Sequence, residues 1–344
     1  MNGAELSSAL ERKLLRHART GLYFSLISGF LWASSGTAIY LASGRAPFAY
    51  PAEAVGLTVA AALALALCHD AVAWLLVIGF NLARGKSREF GRSLRTRPGR
   101  IICLGAIMGG PMAMSCSLLG ITMAGSTYAM PLTATYPALA AVLSTVFLKE
   151  KNSLLVWAGI FICIAGAVVI GYTSPEGAAV RPHFRLGIFF SVLAALGWAV
   201  EGVVSTYGMD TLDPDVVLNI RYGVSVLVQA GVVLPFLAVL GPLGGLPAWS
   251  IVGQALAEPA LFLVVLAGLL GGGSFILWYR ALNTIGVARV MALDICYAFW
   301  AVLLGALLTD QELTRQSLLG AAVIVVGAVL VVAHPRELIS LRKV

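Results

Sequence analysis

Four aromatic residues in this chain each have a polar residue three positions away: Trp32 with Ser35, Tyr136 with Thr133, Trp198 with Glu201, and Tyr297 with Asp294. On a helix that spacing puts both members on one face. Aromatic faces attract a cation through the ring quadrupole. A quaternary ammonium has no N–H to donate, so rings plus a nearby carboxylate are the chemistry that suits it. An acid in an apolar helix is costly unless it faces a cavity or a partner. Trp32, Tyr136, Trp198, Glu201, Asp294 and Tyr297 are therefore the candidate binding residues, and Glu201 and Asp294 the candidates for proton coupling. Ordinary helix packing is the competing reading for any one ring taken alone.

These residues sit in long apolar stretches. Gly286–Leu308 is long enough to cross a bilayer as one helix, with Asp294 near its middle. Of the 344 residues, 59% are hydrophobic and only 11% charged, where a soluble protein would carry about a quarter. The composition is that of an integral membrane protein, all-α, with ten expected spans near 20–42, 54–82, 100–123, 126–148, 153–172, 185–208, 215–240, 259–283, 286–308 and 315–334. The second span is long enough to tilt or break. The net charge of +7 does not read as a nucleic-acid surface, because the basic residues lie between the spans. Membrane lipids are the expected partners of the 84–100 basic loop, and nucleic acid is not. The five cysteines fall inside apolar spans and read as packing residues. No metal or cofactor motif is present, and the first apolar run is too long for a signal-peptide core.

Positive charge sets the expected orientation. Arg12, Lys13, Arg16 and Arg19, the seven basic residues of 84–100, Lys149, Lys151, Arg336, Arg342 and Lys343 share one side. Only Arg45, Arg181, Arg185 and Arg315 fall on the other, so both termini are expected in the cytoplasm. Leu6, Leu10 and Leu14 suggest a short amphipathic helix on that membrane surface.

The chain repeats itself. Gly125, Met130, Leu132 and Tyr136 match Gly286, Met291, Leu293 and Tyr297 at an offset of 161, where Thr133 stands for Asp294. Gly159 and Gly166 match Gly320 and Gly327 at that same offset, and Trp32 matches Trp198. The expected division is a cytoplasmic segment 1–19, a first repeat 20–172, an external linker 173–184, a second repeat 185–334 and a cytoplasmic tail 335–344. Five spans per half place the halves in opposite orientations. A five-plus-five inverted repeat with a midplane site is a transporter signature.

This arrangement, together with WYRALNTIGVARVMAL (278–293) and LKEKNSLLVWAG (148–159), resembles the EamA-type permeases of the drug/metabolite transporter superfamily. Within that family, GWAVEGVVSTYGM (197–209) and MALDICYAFWAVLLG (291–305) resemble a bacterial choline-permease branch. The resemblance implies a central cavity lined by spans 1, 3, 4, 6, 8 and 9. It implies a secondary active transporter of the bacterial inner membrane, with a small cationic substrate and protons or another ion as partners. An exporter of amino acids or other small metabolites is the alternative. An enzyme is not expected, since no nucleophile elbow, phosphate loop or paired metal motif is present.

Depth supports one site. At about 1.5 Å per residue, the four rings lie about 15–18 Å from the cytoplasmic ends of their spans, near mid-membrane. The basic residues Arg221, Arg280 and Arg289 are the alternative partners for the acids. Arg289 is loosely on the face of Asp294, and Arg280 is placed to snorkel. Glu201 has no basic residue within a turn in sequence and is the preferred functional acid. Tyr222, Tyr279 and Trp300 read as packing or interface residues. His69 and Asp70, as neighbours in sequence, point about 100° apart and are not expected to face one site. A proton relay or a helix–helix hydrogen bond are the readings of that pair. Pro111, Pro131, Pro137 and Gly271–Gly273 mark either loosened backbone or close packing.

Overall fold

In a bilayer every backbone N–H and C=O must be satisfied within the protein, so apolar runs of this length become helices. The computed structural model describes residues 3–51, 54–124, 129, 132–171, 184–239, 247–309 and 314–333. The regular elements among those residues are all helices, without a β-strand. Pro131, Met130 and most of the 173–184 linker lie outside them.

The helices in order are α1 (Gly3–Ser43), α2 (Val55–Ala83), α3 (Ser87–Leu94), α4 (Arg97–Gly120), α5 (Tyr136–Phe147), α6 (Leu154–Gly171) and α7 (Phe184–Met209). There follow α8 (Pro214–Val239), α9 (Ala248–Ala255), α10 (Ala260–Ile285), α11 (Val287–Leu308) and α12 (Arg315–Val332). Among them, eight are long and apolar enough to cross a membrane, and α5 and α6 are shorter apolar helices. The protein is a multi-pass membrane protein.

Several elements differ from expectation. The N-terminal segment forms no separate surface helix, because α1 runs unbroken from Gly3 into the membrane stretch. The second span does not break at His69–Asp70, and α2 is one continuous helix. α3 and α9 are short helices between spans that hydropathy alone did not mark. Pro111 sits in a π-helical segment, Met108–Met112, inside α4. A second such segment, Gln229–Val233, lies in α8. Such wide turns relax a helix where its ladder is interrupted. Pro137, in contrast, falls in the first turn of α5, where its missing N–H costs nothing.

α11 is not one regular helix. Its first part ends at Asp294 and its second begins at Cys296. At the joint, Ala298 N–H bonds Ile295 C=O three residues back, at 2.9 Å. α1 passes this joint closely. A Cβ on Gly29 would meet the backbone N of Tyr297 at 3.5 Å and the carbonyl of Asp294 at 3.7 Å.

Small residues bring the other helices together. α6 and α12 touch through glycines, and a Cβ at Gly166 would meet the Gly320 carbonyl at 2.7 Å. In the Gly271–Gly273 run, close packing is what the structure shows: Gly271 lies against His69 and Ser35, and Gly272 against Ala73. α4 packs on α7 and α1 on α10 in the same way, which is how helices associate in lipid. The five cysteines are free thiols.

At the basic end of the bundle, α10 turns into α11 at Gly286, whose φ of +84° favours glycine. The buried Glu150 carboxylate accepts there from Val287 N at 3.0 Å and from Ala288 N at 3.5 Å. It thereby satisfies donors that a helix start leaves open.

A candidate binding cavity and a buried charge network

A cavity of about 110 Å³ lies among α1, α5, α7, α10 and α11. Trp32, Tyr136, Trp198, Glu201, Asp294 and Tyr297 all line it. Reasoning from the sequence missed Ser28, Ser274, Phe275, Trp278 and Met291, which complete the wall. The aromatic run Phe275, Trp278, Tyr279 at helical spacing was the signal that marked the α10 face.

The rings form one array. Tyr136 and Trp198 meet edge to face with centroids 6.1 Å apart. Trp32 meets Phe275 at 5.5 Å, and Phe275 meets Trp278 at 5.4 Å. Toward the end opposite the basic loop, a further depression between α1 and α11 shares Trp32 and Tyr297 with the cavity. Toward the basic end, Tyr222, Tyr279, Val290 and Arg289 are fully buried.

The two acids have different surroundings. Asp294 accepts a hydrogen bond from the Tyr136 hydroxyl at 3.0 Å. No basic side chain forms an ion pair with it among the described residues. Arg289, the expected alternative partner, instead points Nη2 toward the Lys151 carbonyl at 3.4 Å.

Glu201 is paired. Arg221, from α8, donates Nε to its Oε1 at 2.7 Å, and the Tyr279 hydroxyl lies 3.3 Å from the same oxygen. Sequence distance hid this partner, twenty residues away and one helix over. A Cβ at Gly109 would overlap the Glu201 carboxylate, so that glycine makes its space. Arg221 also approaches Asp70 at 3.5 Å, and its guanidinium lies over Tyr222 and Phe275, 4.7 Å from each ring.

Asp70 further accepts from Ser225 at 2.8 Å and Gln229 at 3.1 Å. His69 Nδ1 is 3.0 Å from its other oxygen. This corrects the expectation that His69 and Asp70 cannot serve one site: the imidazole folds back onto its neighbour. Ser35 turns away from the cavity, 3.3 Å from His69 Nε2 and donating to Ala267 C=O at 2.8 Å. Two carboxylates thus share one guanidinium, and Ser225, Gln229 and Tyr279 add hydrogen bonds to them, as buried polar groups require.

Arg280 does not snorkel to open water. It grips Asp215 with Nε at 3.1 Å and Nη2 at 2.9 Å, at the basic end.

A multi-pass helical bundle that holds an aromatic cavity with two carboxylates on its wall has the build of a permease. The comparisons agree with this class: the model of the EamA-like transporter family matches residues 19–172 and 185–333. The chain belongs to the EamA-like transporter family, a family of transporters rather than enzymes. Protein LicB of Haemophilus influenzae is 27% identical over 319 residues, covering 92% of this chain and 99% of that protein. A solved crystal structure superposes with a TM-score of 0.70 over 93% of this chain and 99% of its own, at 19% identity, which shows the fold alone.

Proposed function

We propose that this protein is a secondary active transporter for a small cationic metabolite, choline or a similar quaternary amine, working by alternating access with proton coupling. One observation carries the reading: Asp294, without a basic partner among the described residues, faces a cavity walled by Trp32, Tyr136, Trp198 and Tyr297. Rings and an unneutralised carboxylate are complementary to a cation that cannot hydrogen bond. No basic side chain lines the cavity among the described residues, and Arg221 is committed to Glu201 and Asp70. A substrate carboxylate would therefore meet no counter-charge, which weighs against amino acids. The likeness of 197–209 and 291–305 to a choline-permease branch supports the same choice.

The acid that couples protons is then Asp294. Glu201 keeps its place on the wall, but its charge is already answered by Arg221. Substrate and proton compete for the Asp294 carboxylate, and such linkage is the minimum that coupling requires.

Alternating access rests on a ten-span, five-plus-five inverted repeat. Its support is reciprocal packing. Gly159 and Gly320 are equivalent by offset, yet Gly159 packs on Gly327 and Gly166 on Gly320. Partners exchanged in this way are what a twofold relation produces. With the basic end in the cytoplasm of a bacterial inner membrane, both termini lie inside.

The test is a thermal-shift screen of purified protein against choline, betaine, polyamines and amino acids, since a ligand of the folded state raises Tm by mass action. Choline should raise Tm and should accumulate in proteoliposomes only under a proton gradient. A shift by amino acids but not by quaternary amines would overturn the reading.

A further inference from the structure

Two hydroxyls on the cavity wall meet each other and one backbone carbonyl. Ser28 on α1 and Ser274 on α10 are buried, with their oxygens 3.0 Å apart. Ser274 Oγ is also 2.9 Å from the Ser28 carbonyl, to which it donates. One hydroxyl has one hydrogen. With Ser274 donating to the carbonyl, the contact between the oxygens is satisfied only by Ser28 donating to Ser274. The reverse order would leave the Ser28 hydrogen without an acceptor. Both donors are thus used inside the protein, and Ser28 Oγ keeps its lone pairs for the cavity.

The same wall carries the complementary group. Trp278 lines the cavity, and its buried indole N–H has no acceptor among the described residues. An unmade hydrogen bond of this kind costs free energy that a ligand can recover.

We infer that Ser28, Ser274 and Trp278 form a subsite that reads a hydroxyl on the substrate, beside the aromatic cage that holds its cationic end. The serine pair offers an acceptor, and the indole offers a donor. An alcohol is both donor and acceptor, so it satisfies both groups. A carboxylate has no hydrogen for Ser28 and is repelled by Asp294. A bare tetraalkylammonium satisfies neither. The inference rests on the cationic reading of the cavity and adds to it what distinguishes one quaternary amine from another.

Binding to the purified full-length protein, by titration calorimetry, tests it with three probes: choline, its O-methyl ether and tetramethylammonium. The ether keeps the oxygen and loses the hydrogen. In the unmodified protein choline should bind about tenfold tighter than the ether, the worth of one buried hydrogen bond. Ser28→Ala, which removes the acceptor, should erase most of that gap by weakening choline while tetramethylammonium still binds. Trp278→Phe keeps an aromatic face but removes the N–H, and should weaken choline and the ether together. Equal affinity for choline and its ether in the unmodified protein overturns the subsite while leaving the cage intact. Binding of none of the three overturns the cationic reading, and the subsite with it.

Discussion

Arg221 and Glu201 meet at 2.7 Å inside the bundle, and that pair separates the two cavity acids by role. Removing one partner of a buried ion pair leaves a charge without its counter-charge and costs about 3–5 kcal/mol. Glu201→Gln should therefore lower Tm markedly, with transport falling as the folded fraction falls. Asp294 loses only the Tyr136 hydrogen bond on conversion to Asn. Asp294→Asn should keep Tm within a few degrees and abolish both gradient-driven accumulation and its pH dependence. Uptake and thermal denaturation measured on the same two variants check this. Undiminished accumulation by Asp294→Asn, with the usual response to pH, would return the coupling role to Glu201.

The cage makes its own prediction. Trp198→Ala or Tyr297→Ala should weaken binding of a quaternary ammonium by about 1–2 kcal/mol, the value of a desolvated cation–π contact. Tyr297→Phe should be tolerated better, because the ring face is kept. Equilibrium binding of choline to folded variants reads the effect. Unaltered affinity in both alanine variants would remove the rings from the site.

Orientation can be read in intact cells. Single cysteines placed in the 84–100 loop should resist an impermeant thiol reagent, and those in the 173–184 linker should react. The basis is the excess of arginine and lysine at one end of the bundle. Labelling of the basic loop would reverse the topology.

Much of this site was legible because depth and helical period are properties of the local sequence. Trp32, Trp198 and Tyr297 could be placed at one level by counting residues along their spans, and they line one cavity. What the sequence withheld was lateral pairing. Glu201 looked solitary because Arg221 comes from the next helix, and Asp294 looked pairable with Arg289 because the two are close in sequence. Helix interruptions were hidden as well. Nothing in ALDICY marks the joint at Ile295, where one helix ends and the next begins. The Ser28–Ser274 contact joins residues 246 apart, and no periodicity encodes it.

The last prediction concerns the basic end, where charges tie the turn after α2 to α8 and α10, and where Lys86 and Asp213 lie outside the membrane spans. Lys86 Nζ reaches Asp213 at 2.7 Å and Asp215 at 2.8 Å, while Arg280 holds the other oxygen of Asp215. Phe80 lies between the guanidinium groups of Arg84 and Arg280. Burial alone would raise the Asp213 carboxyl, but the bonds from Lys86 and from the Asp215 N–H outweigh it and hold it below the ordinary range. Burial alone would lower the Lys86 ammonium, but both aspartates outweigh that and hold it above its ordinary range. A depressed acid contributes stability above its unfolded value, near ~3.9, and loses it as pH falls through the folded value. A raised lysine contributes fully below its unfolded value, near ~10.4, and loses it as pH rises through the folded one. The latch is therefore at full strength from about pH 4 to about pH 10. Lys86→Met should lower Tm by a constant amount across that window, and the gap to the unmodified protein should narrow in stronger acid or base. A Tm gap that stays constant down to pH 2 would show that Lys86 contributes through packing rather than charge.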